Sequence, residues 1–182
     1  LGLFSIIPLI FLSFKYKNDK FYSNKYYSIF LLVCLQGFIG WYMVSSGLIE
    51  NNDVSHFRLS IHLSLALFLL CLNFWFLLEV FRIDKYRIKY SNLFLILILL
   101  IIVLQIILGA FLSGLDGGLM YNSWPSMNGQ FYPSDTILKD YLSWDFFYNP
   151  SIIQFFHRIT AYFLVFLVII LNYISFKNKK NF

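Results

Sequence analysis

The sequence predicts an all-α integral membrane protein, and three observations support this prediction. Hydrophobic residues make up 59% of the 182 residues and charged residues only 13%, whereas soluble domains carry about 25% charged residues. Four apolar runs are long enough to cross the hydrocarbon core, which takes about 20 helical residues. Basic residues fall in short clusters between these runs, so the net charge of +5 does not indicate a nucleic-acid-binding face. The pattern predicts a helical bundle.

The apolar runs set the predicted spans, because backbone groups in lipid must form their hydrogen bonds within a helix. A partial N-terminal helix is predicted at 1–14, and four complete transmembrane helices at 27–49, 60–82, 93–115 and 151–175. The segment 116–150 then forms a long outer loop, and 1–182 is treated as a single membrane domain. The opening run has neither an initiator Met nor a basic n-region, which favours the end of a truncated helix over a signal peptide.

Positive charge predicts the orientation. Of the 14 basic residues, 11 lie on one side, in the segments KYKNDK with Lys25, RIDKYRIK and KNKK. The positive-inside rule puts this side in the cytoplasm. We therefore expect a multi-pass protein of the bacterial inner membrane, in preference to the mitochondrial inner membrane, with the 116–150 loop outside.

Two of the three histidines share a setting. His62 and His157 each open a span near the outer face and head the pattern H-x-x-x-A-x-F-L, whereas His56 falls in a short outer loop. Ionisable residues within spans are costly and usually functional. A histidine that faces a bundle interior beside small residues is a natural axial ligand for haem. On composition alone, an interhelical hydrogen bond or an interfacial position explains these histidines equally well.

The spans that precede the two histidines also match each other. Gln36 lies four residues before Gly40, and Gln105 lies four residues before Gly109. The sequence therefore suggests two helical hairpins of one design, each with a histidine on its second helix. Gln36, Gln105 and Asn73 lie deep in apolar runs, and we expect them to form hydrogen bonds between helices.

Arginines lie close to both histidines. Arg58 precedes His62 by four residues, and Arg158 follows His157 directly. Guanidinium groups pair well with the anionic propionates of haem. Arginines near a membrane surface also extend toward the headgroups without any specific ligand, so these two residues favour a haem site only modestly.

The outer loop has an unusual composition. Its first part, LDGGLMYNSWPSMNGQFYP (115–133), is rich in aromatic residues and nearly free of charge. An interfacial aromatic belt accounts for its Trp and Tyr residues, but it accounts less well for the string NSWPSMNG. A connection of about 35 residues without regular structure is unusual unless it is a lid or a binding element. The chain has no P-loop, G-x-S-x-G, H-E-x-x-H or zinc-type spacing.

Four segments, in order, resemble the haem A synthase family. They are GWYMVSSGL (40–48), VSHFRLSIHLSLAL (54–67), LGAFLSGLDGGLMYNSWPSMNGQFYP (108–133) and NPSIIQFFHR (149–158). The string G-L-x-x-G-x-x-Y-N-x-W-P-x-M-x-G is the specific part, and the resemblance covers essentially the whole chain. The lack of cysteines in the outer segments resembles the proteobacterial and mitochondrial type.

The resemblance implies a tandem pair of four-helix bundles, of which this chain forms a part that lacks both ends. It implies an oxidoreductase that converts a methyl group of haem O into the formyl group of haem A, for cytochrome c oxidase, with haem b as cofactor. His62 and His157 would be axial ligands of haem iron, and Arg58 and Arg158 would contact propionates or the pocket. The partner histidines would lie outside the chain, so the fragment alone is expected to be inactive. No catalytic residue is assigned.

The resemblance also gives the loop a role as the cap of a haem pocket. The pocket residues would be Asn122, Trp124, Pro125, Met127 and Asn128. The two asparagines would fix the loop by hydrogen bonds, Pro125 would stiffen it, and Gly117 and Gly118 would permit a tight exit from the helix.

The expected partners follow from the same resemblance. They are haem O as substrate, haem O synthase, cytochrome oxidase assembly proteins and the lipid bilayer, with a homo-oligomer left open and no nucleic acid. Two alternatives remain at this point. One is a b-type haem electron-transfer membrane subunit without substrate chemistry, and the other is a non-catalytic assembly factor with structural histidines.

Overall fold

A computed structural model describes residues 2–15, 19–45, 54–81 and 91–179, and within these ranges the regular structure is helical. The helices are α1 (Gly2–Lys15), α2 (Lys20–Ser45), α3 (His56–Val80), α4 (Asn92–Gly114), α5 (Leu138–Leu142) and α6 (Pro150–Lys179). Two 3₁₀ turns, Gly117–Leu119 and Trp144–Phe147, lie in the loop between α4 and α6. The predicted all-α class is confirmed.

Four of the helices are long and apolar enough to cross a membrane. The candidate spans are Tyr22–Ser45, His56–Val80, Asn92–Gly114 and Pro150–Lys177. Many of their apolar side chains face outward, such as Leu31, which is 70% exposed, and Leu100, which is 60% exposed. Such faces suit lipid rather than water. The chain is therefore a multi-pass membrane protein.

Two helices begin earlier than predicted. Helix α2 starts at Lys20, because its first turns carry lysine and tyrosine side chains that can reach the membrane surface from within a helix. Helix α3 starts at His56, so the prediction that His56 lies in a loop is wrong. Ser55 stands at the N-cap position, and its carbonyl accepts a hydrogen bond from Leu59 N at 3.0 Å, which closes the first turn. The loop residues Glu50 and Asp53 lie outside the described ranges.

The chain divides into two compact units, Leu1–Lys85 and Tyr86–Phe182. In the first unit α2 packs on α3 and α1 packs on α2; in the second, α4 packs on α6. Each unit thus contains one long helical hairpin, as the repeated Gln-x-x-x-Gly and histidine patterns suggested. The single membrane domain spanning 1–182 stays a prediction.

The outer loop has more regular structure than the sequence indicated. It contains both 3₁₀ turns and the short helix α5, so part of the connection is regular. Asn149 ends the loop and caps α6, since its Oδ1 accepts hydrogen bonds from Ser151 N at 3.0 Å and Ile152 N at 3.3 Å. Pro150 follows at the first helical position, where it has no hydrogen bond to lose.

An ion pair joins α2 to α3 at the end away from His62. Lys25 Nζ contacts Glu79 Oε2, and Trp75 Nε1 donates to Glu79 Oε1 at 2.9 Å. Arg82 and Lys85, the basic residues that follow α3 most closely in the sequence, lie outside the described ranges. The described partner on the neighbouring helix is Lys25.

Replacing Lys25 with methionine is expected to lower the free energy of unfolding of this hairpin by about 1–3 kcal/mol, because the Glu79 carboxylate loses a nearby ammonium group at low dielectric. The lower end of the range reflects the 35% exposure of the Glu79 side chain. The double variant Lys25→Met/Glu79→Leu should recover most of the loss, as measured by unfolding in SDS micelles. Equal stability of the single variant and the unaltered chain would contradict this role.

Candidate functional site

His62 lies on α3 and faces α2. It comes six residues after the start of α3, which places it nearly two turns inside the helix. Gln36 Nε2 lies 3.2 Å from Nδ1 and 3.3 Å from Nε2 of the His62 ring, and it donates to the His62 carbonyl oxygen at 3.0 Å. Gly40, one turn along α2, leaves room for the ring. A Cβ atom at Gly40 would lie 2.9 Å from His62 Cε1.

His157 has the same surroundings in the second hairpin. It comes seven residues after the start of α6. Gln105 Nε2 lies 3.1 Å from Nδ1 and 3.2 Å from Nε2 of its ring. A Cβ atom at Gly109 would lie 3.2 Å from His157 Cε1. The expectation that Gln36 and Gln105 bond between helices is thus confirmed.

Asn73 behaves differently from the two glutamines. Its Nδ2 donates to the Leu69 carbonyl oxygen at 2.8 Å, on its own helix. The expectation of an interhelical bond is therefore wrong for this residue. The short Asn side chain can satisfy itself on the preceding helical turn, whereas the longer Gln side chain extends far enough to contact a neighbouring helix.

One neighbour distinguishes the two histidine sites. The Thr160 hydroxyl, one turn after His157 on α6, contacts the side-chain oxygen of Gln105. The residue at the same spacing after His62 is Leu65, which has no hydroxyl. Within the described residues, Gln36 Oε1 is buried without a hydrogen-bond partner. Thr160 was not singled out from the sequence, although the comparison of H-R-I-T with H-L-S-L contained the signal.

The two arginines near the histidines contact protein groups. Arg58 lies over the Tyr42 ring, 4.0 Å from its centroid, and donates to the Tyr42 carbonyl oxygen at 3.1 Å. Arg158 donates to three loop carbonyls: Ser123 O at 3.0 Å, Ser126 O at 3.3 Å and Tyr121 O at 2.7 Å. These bonds engage three of its five N–H donors. The propionate role of both arginines stays a prediction.

Arg158 and a buried glutamine hold the loop against the first turns of α6. Gln154 is 4% exposed, and its amide pairs with the backbone of Tyr121, accepting from N at 3.1 Å and donating to O at 3.0 Å. Tyr121 and Met127 are themselves buried, at 5% and 1% exposure. Gln154 was missed in the sequence, where a polar residue one turn before His157 in an apolar run was the available signal.

The other predicted pocket residues differ in their exposure and in their backbone conformation. Asn122, Trp124 and Pro125 are exposed, with Trp124 at 74%, and the Trp124–Pro125 peptide bond is cis. Met127 and Gln130 exchange two backbone hydrogen bonds, and the residues between them, Asn128 and Gly129, have φ values of 53° and 89°. Asn-Gly suits such a turn because both positions need positive φ. Asn128 thus contributes its backbone conformation here, where we had expected a side-chain hydrogen bond.

The turn that ends α4 depends on a different residue from the two glycines that were predicted. Asp116, with φ of 50°, takes the left-handed conformation that ends the helix. Gly117 is needed for packing, since a Cβ atom there would lie 2.6 Å from Leu112 Cδ1 and 3.2 Å from Pro150 Cβ. Gly118 has no such neighbour within 4 Å. The proposed turn role of the two glycines is therefore wrong, and only Gly117 is sterically required.

A small polar cluster that the sequence did not indicate joins the loop to α6. Asp135 accepts from Tyr121 Oη at 2.5 Å and from Ser151 Oγ at 2.6 Å. Burial raises the pKa of the Tyr121 phenol, and the hydrogen bond with Asp135 raises it further. Burial alone would raise the pKa of Asp135, but the hydroxyls of Ser151 and Tyr121 outweigh it, and the pKa lies below its usual value.

Acid is expected to loosen the loop through Asp135. Because the folded-state pKa lies below the unfolded value of about 3.9, the carboxylate stabilises the loop fully above that value, and its contribution disappears as the pH falls through the folded-state pKa. In a variant whose only remaining tryptophan is Trp124, the tryptophan fluorescence should change in one step as the pH falls below about 4. Asp135→Asn should remove that step, and a step of unchanged size would rule out the carboxylate as its source.

The side chains restrict the kind of metal that each site could bind. In the described part of the chain, no three His, Cys, Asp or Glu side chains converge on one point. A lone imidazole suits a metal whose other ligands come from a porphyrin. The glycine beside each histidine makes room for the imidazole ring, because a Cβ atom there would lie 2.9 Å from Cε1 of His62 or 3.2 Å from Cε1 of His157.

Comparisons with known proteins show the family to which the chain belongs. The family model described as cytochrome oxidase assembly protein matches residues 1–181. The chain is 65% identical over 181 residues to the haem A synthase of Pelagibacter ubique strain HTCC1062, covering 100% of this chain and 54% of that relative. It is 41% identical over 188 residues to the haem A synthase of Rickettsia bellii strain OSU 85-389, covering 98% and 55%.

A third relative gives a similar result. The haem A synthase of Flavobacterium psychrophilum is 40% identical over 186 residues, covering 100% of this chain and 53% of that relative. The chain thus spans about half the length of the curated relatives it matches. No solved structure matches it. The resemblance seen in the four sequence segments is confirmed, and the chain belongs to the cytochrome oxidase assembly protein family, the family of these haem A synthases.

Proposed function

We propose that this chain acts as part of a haem A synthase, an oxidoreductase that converts a methyl group of haem O into the formyl group of haem A for cytochrome c oxidase. One observation supports this most strongly: an imidazole packs against a glycine in the same way in both hairpins, within a chain of this family. The alternative, a b-type electron-transfer subunit, has no comparable support, because the curated relatives are named haem A synthases.

The residues present fit haem. His62 and His157 each have Gly40 or Gly109 against the Cε1 edge of the ring, where a Cβ atom would press on the imidazole, so the glycine sets the position of the ligand. These imidazoles would be the axial ligands, with haem b as the resident cofactor and haem O as the substrate. Bound haem would supply iron redox chemistry that no protein side chain provides. The protein would orient the imidazoles and keep the surroundings apolar.

The arginines and the loop would complete the binding site. Arg58 lies one turn before His62 on α3, a spacing that puts both side chains on one helical face, so its free donors could pair with a propionate. Arg158 would serve mainly by holding the loop, with its two remaining N–H donors available to an anion. Trp124 is exposed on that loop and could pack against a porphyrin or its isoprenoid tail.

The site would lie near the outer face of a bacterial inner membrane. This orientation rests on the basic clusters between the spans. Haem O synthase and cytochrome oxidase assembly proteins would be the functional neighbours, since they would deliver the substrate and use the product.

The proposal can be tested with a chimera. This chain would replace the matched 54% of the Pelagibacter ubique haem A synthase, in cells that produce haem O but lack their own haem A synthase. Conversion of haem O to haem A, read from the spectra of extracted haems, is the expected result. A chimera that is inserted and takes up haem but leaves haem O unchanged would instead indicate an electron-transfer subunit.

A further inference from the structure

The first turn of α6 is enclosed on all sides by the preceding loop and α4. Ser151, Ile152 and Ile153 are 0% exposed, and Gln154 is 4% exposed. Four consecutive helical residues point in directions about 100° apart, so neighbours must surround the helix at this level. Contacts with further protein could only reduce the exposure. The enclosed turn ends three residues before His157.

The gap between α4 and α6 on the loop side of His157 is occupied by side chains. Phe147 of the loop lies against Phe111 of α4, with ring centroids 6.3 Å apart and an angle of 74° between the ring planes. Phe111 is 5% exposed and comes two residues after Gly109, the glycine against the His157 ring. The 3₁₀ turn that follows α4 is equally close to α6, since a Cβ atom at Gly117 would lie 3.2 Å from Cβ of the first residue of α6.

A polar stripe on α6 holds the loop in place. Ser151, Gln154 and Arg158 follow one another at intervals of three and four residues, which places them on one helical face. Ser151 Oγ donates to Asp135 Oδ2 at 2.6 Å, and the Gln154 amide makes two hydrogen bonds with the backbone of Tyr121. Arg158 donates to three loop carbonyls. The loop is thus fixed to the same helical turns that carry the candidate ligand.

The loop segment 121–135, which we call the plug, also contributes buried side chains. Met127 is 1% exposed, and Pro133 is below 2%. Met127 and Gln130 exchange two backbone hydrogen bonds. Local opening is easy where buried apolar contacts are few and hard where they are many. A lid, one of the roles that the length of the loop suggested, needs easy opening. The plug has the opposite properties.

We propose that the plug is a fixed wall that closes the loop side of the His157 site before any ligand binds, so that a ligand of His157 enters sideways from the lipid bilayer. The spans present apolar faces to that lipid, with Leu100 60% and Val103 43% exposed on α4. Such a route suits a ligand dissolved in the bilayer, such as a tetrapyrrole with a long apolar tail. The identity of the ligand rests on the proposed function, but the closed state of the plug does not.

Hydrogen exchange tests the plug without haem. Three plug amides donate to protein groups: Tyr121 N to Gln154 Oε1, Met127 N to Gln130 O, and Gln130 N to Met127 O. In the haem-free chain in lipid nanodiscs, these amides should exchange as slowly as those of the first turns of α6. Exchange at the rate of an unstructured peptide would show that the loop is a lid and would overturn the proposal.

Weakened plugs test the entry route. Gln154→Leu removes both side-chain hydrogen bonds to Tyr121, and Asp135→Asn removes the charge that two hydroxyls bind. Both variants should speed the exchange of the plug amides. Haem uptake by the chimera from vesicles loaded with haem b should nevertheless keep its rate, because the route does not pass through the plug. Uptake that accelerates together with amide exchange would refute sideways entry.

The matched control lies at the other end of α6. Asn172 also has a side-chain amide, but it donates to Val168 O on its own helix at 2.8 Å. Asn172→Leu should change neither the exchange of the plug amides nor the rate of haem uptake. A change in plug exchange as large as that of Gln154→Leu would mean that the stripe has no specific role in holding the plug.

The two proposals can fail independently. If the chimera takes up no haem while the plug amides are protected, the proposed function fails and the closed plug stands. If the chimera makes haem A but uptake accelerates in both weakened plugs, the function stands and sideways entry fails.

Discussion

Haem binding by the chimera is expected to disappear when His62 and His157 are both replaced with alanine, and each single replacement should remove one of two haems. The physical reason is that the described residues contain no group of three or more His, Cys, Asp or Glu side chains that could hold a metal ion, so iron binding at each site would depend on the imidazole. Haem content per protein, measured from the Soret absorbance, tests this. Haem A formation should fall to background in either single variant.

The third histidine provides the control. His56 is the first residue of α3. Its ring centroid lies 4.4 Å from that of Phe57, and the Gln36 contact is made by His62 instead. His56→Gln retains a side chain of similar polarity and should keep both haems. Full haem content in His62→Ala or His157→Ala would mean that these imidazoles serve only as interhelical hydrogen-bond groups, the alternative that composition alone left open.

The helices and the interhelical hydrogen bonding of Gln36 could be predicted from the sequence because they depend on local patterns, whereas its partner, His62, is seen only in the structure. Apolar runs of sufficient length predict helices, and four-residue spacings place Gln36 and Gly40 on one face of α2. A hairpin then brings that face to the first turns of the next helix. The same reasoning applies to Gln105 and His157, and both contacts are present.

The loop could not be predicted in the same way, because its conformation depends on partners distant in the chain. Tyr121 is held by Gln154, which is 33 residues away, and by Arg158, which is 37 residues away. Asp135 depends similarly on Ser151. Local composition gives no indication of such pairings. The same limit explains why Asp116, and not a glycine, takes the left-handed conformation after α4.

Arg158 illustrates how one residue can support two interpretations. Its position beside His157 suggested a propionate partner, and the structure shows it bound to three loop carbonyls. The two roles are compatible, since a guanidinium group has five donors in one plane. An arginine that orders the loop would also fix the position of its own remaining donors.

The second prediction with a large expected effect concerns Gly40. Alanine at this position is expected to weaken haem binding at the His62 site by about 10- to 100-fold, the range seen when groups that orient a metal ligand are altered. The new Cβ atom would lie 2.9 Å from Cε1 and 3.5 Å from Nδ1 of the ring, so the imidazole must move away from α2. A displaced ring also loses its contact with Gln36.

The matched control lies on the same helix. A Cβ atom at Gly37 would have no neighbour within 4 Å, so Gly37→Ala makes the same chemical change on α2 without touching the ring. Both substitutions favour the helix by up to about 1 kcal/mol, and a loss of helix stability therefore cannot explain weaker haem binding. Gly109→Ala should weaken binding at the His157 site by less, because the contact there would be 3.2 Å.

The haem affinities of the three variants are compared by titrating each with haem. Circular dichroism follows their helicity. The expected order of haem affinity loss is Gly40→Ala first, Gly109→Ala second and Gly37→Ala last, with helicity unchanged in all three. Equal losses at Gly37 and Gly40 would show that the bilayer-facing surface of α2, and not the space in front of the imidazole, controls binding. An unaffected Gly40→Ala variant would show that haem does not require the observed ring position, because a ring pushed off α2 would then coordinate iron equally well.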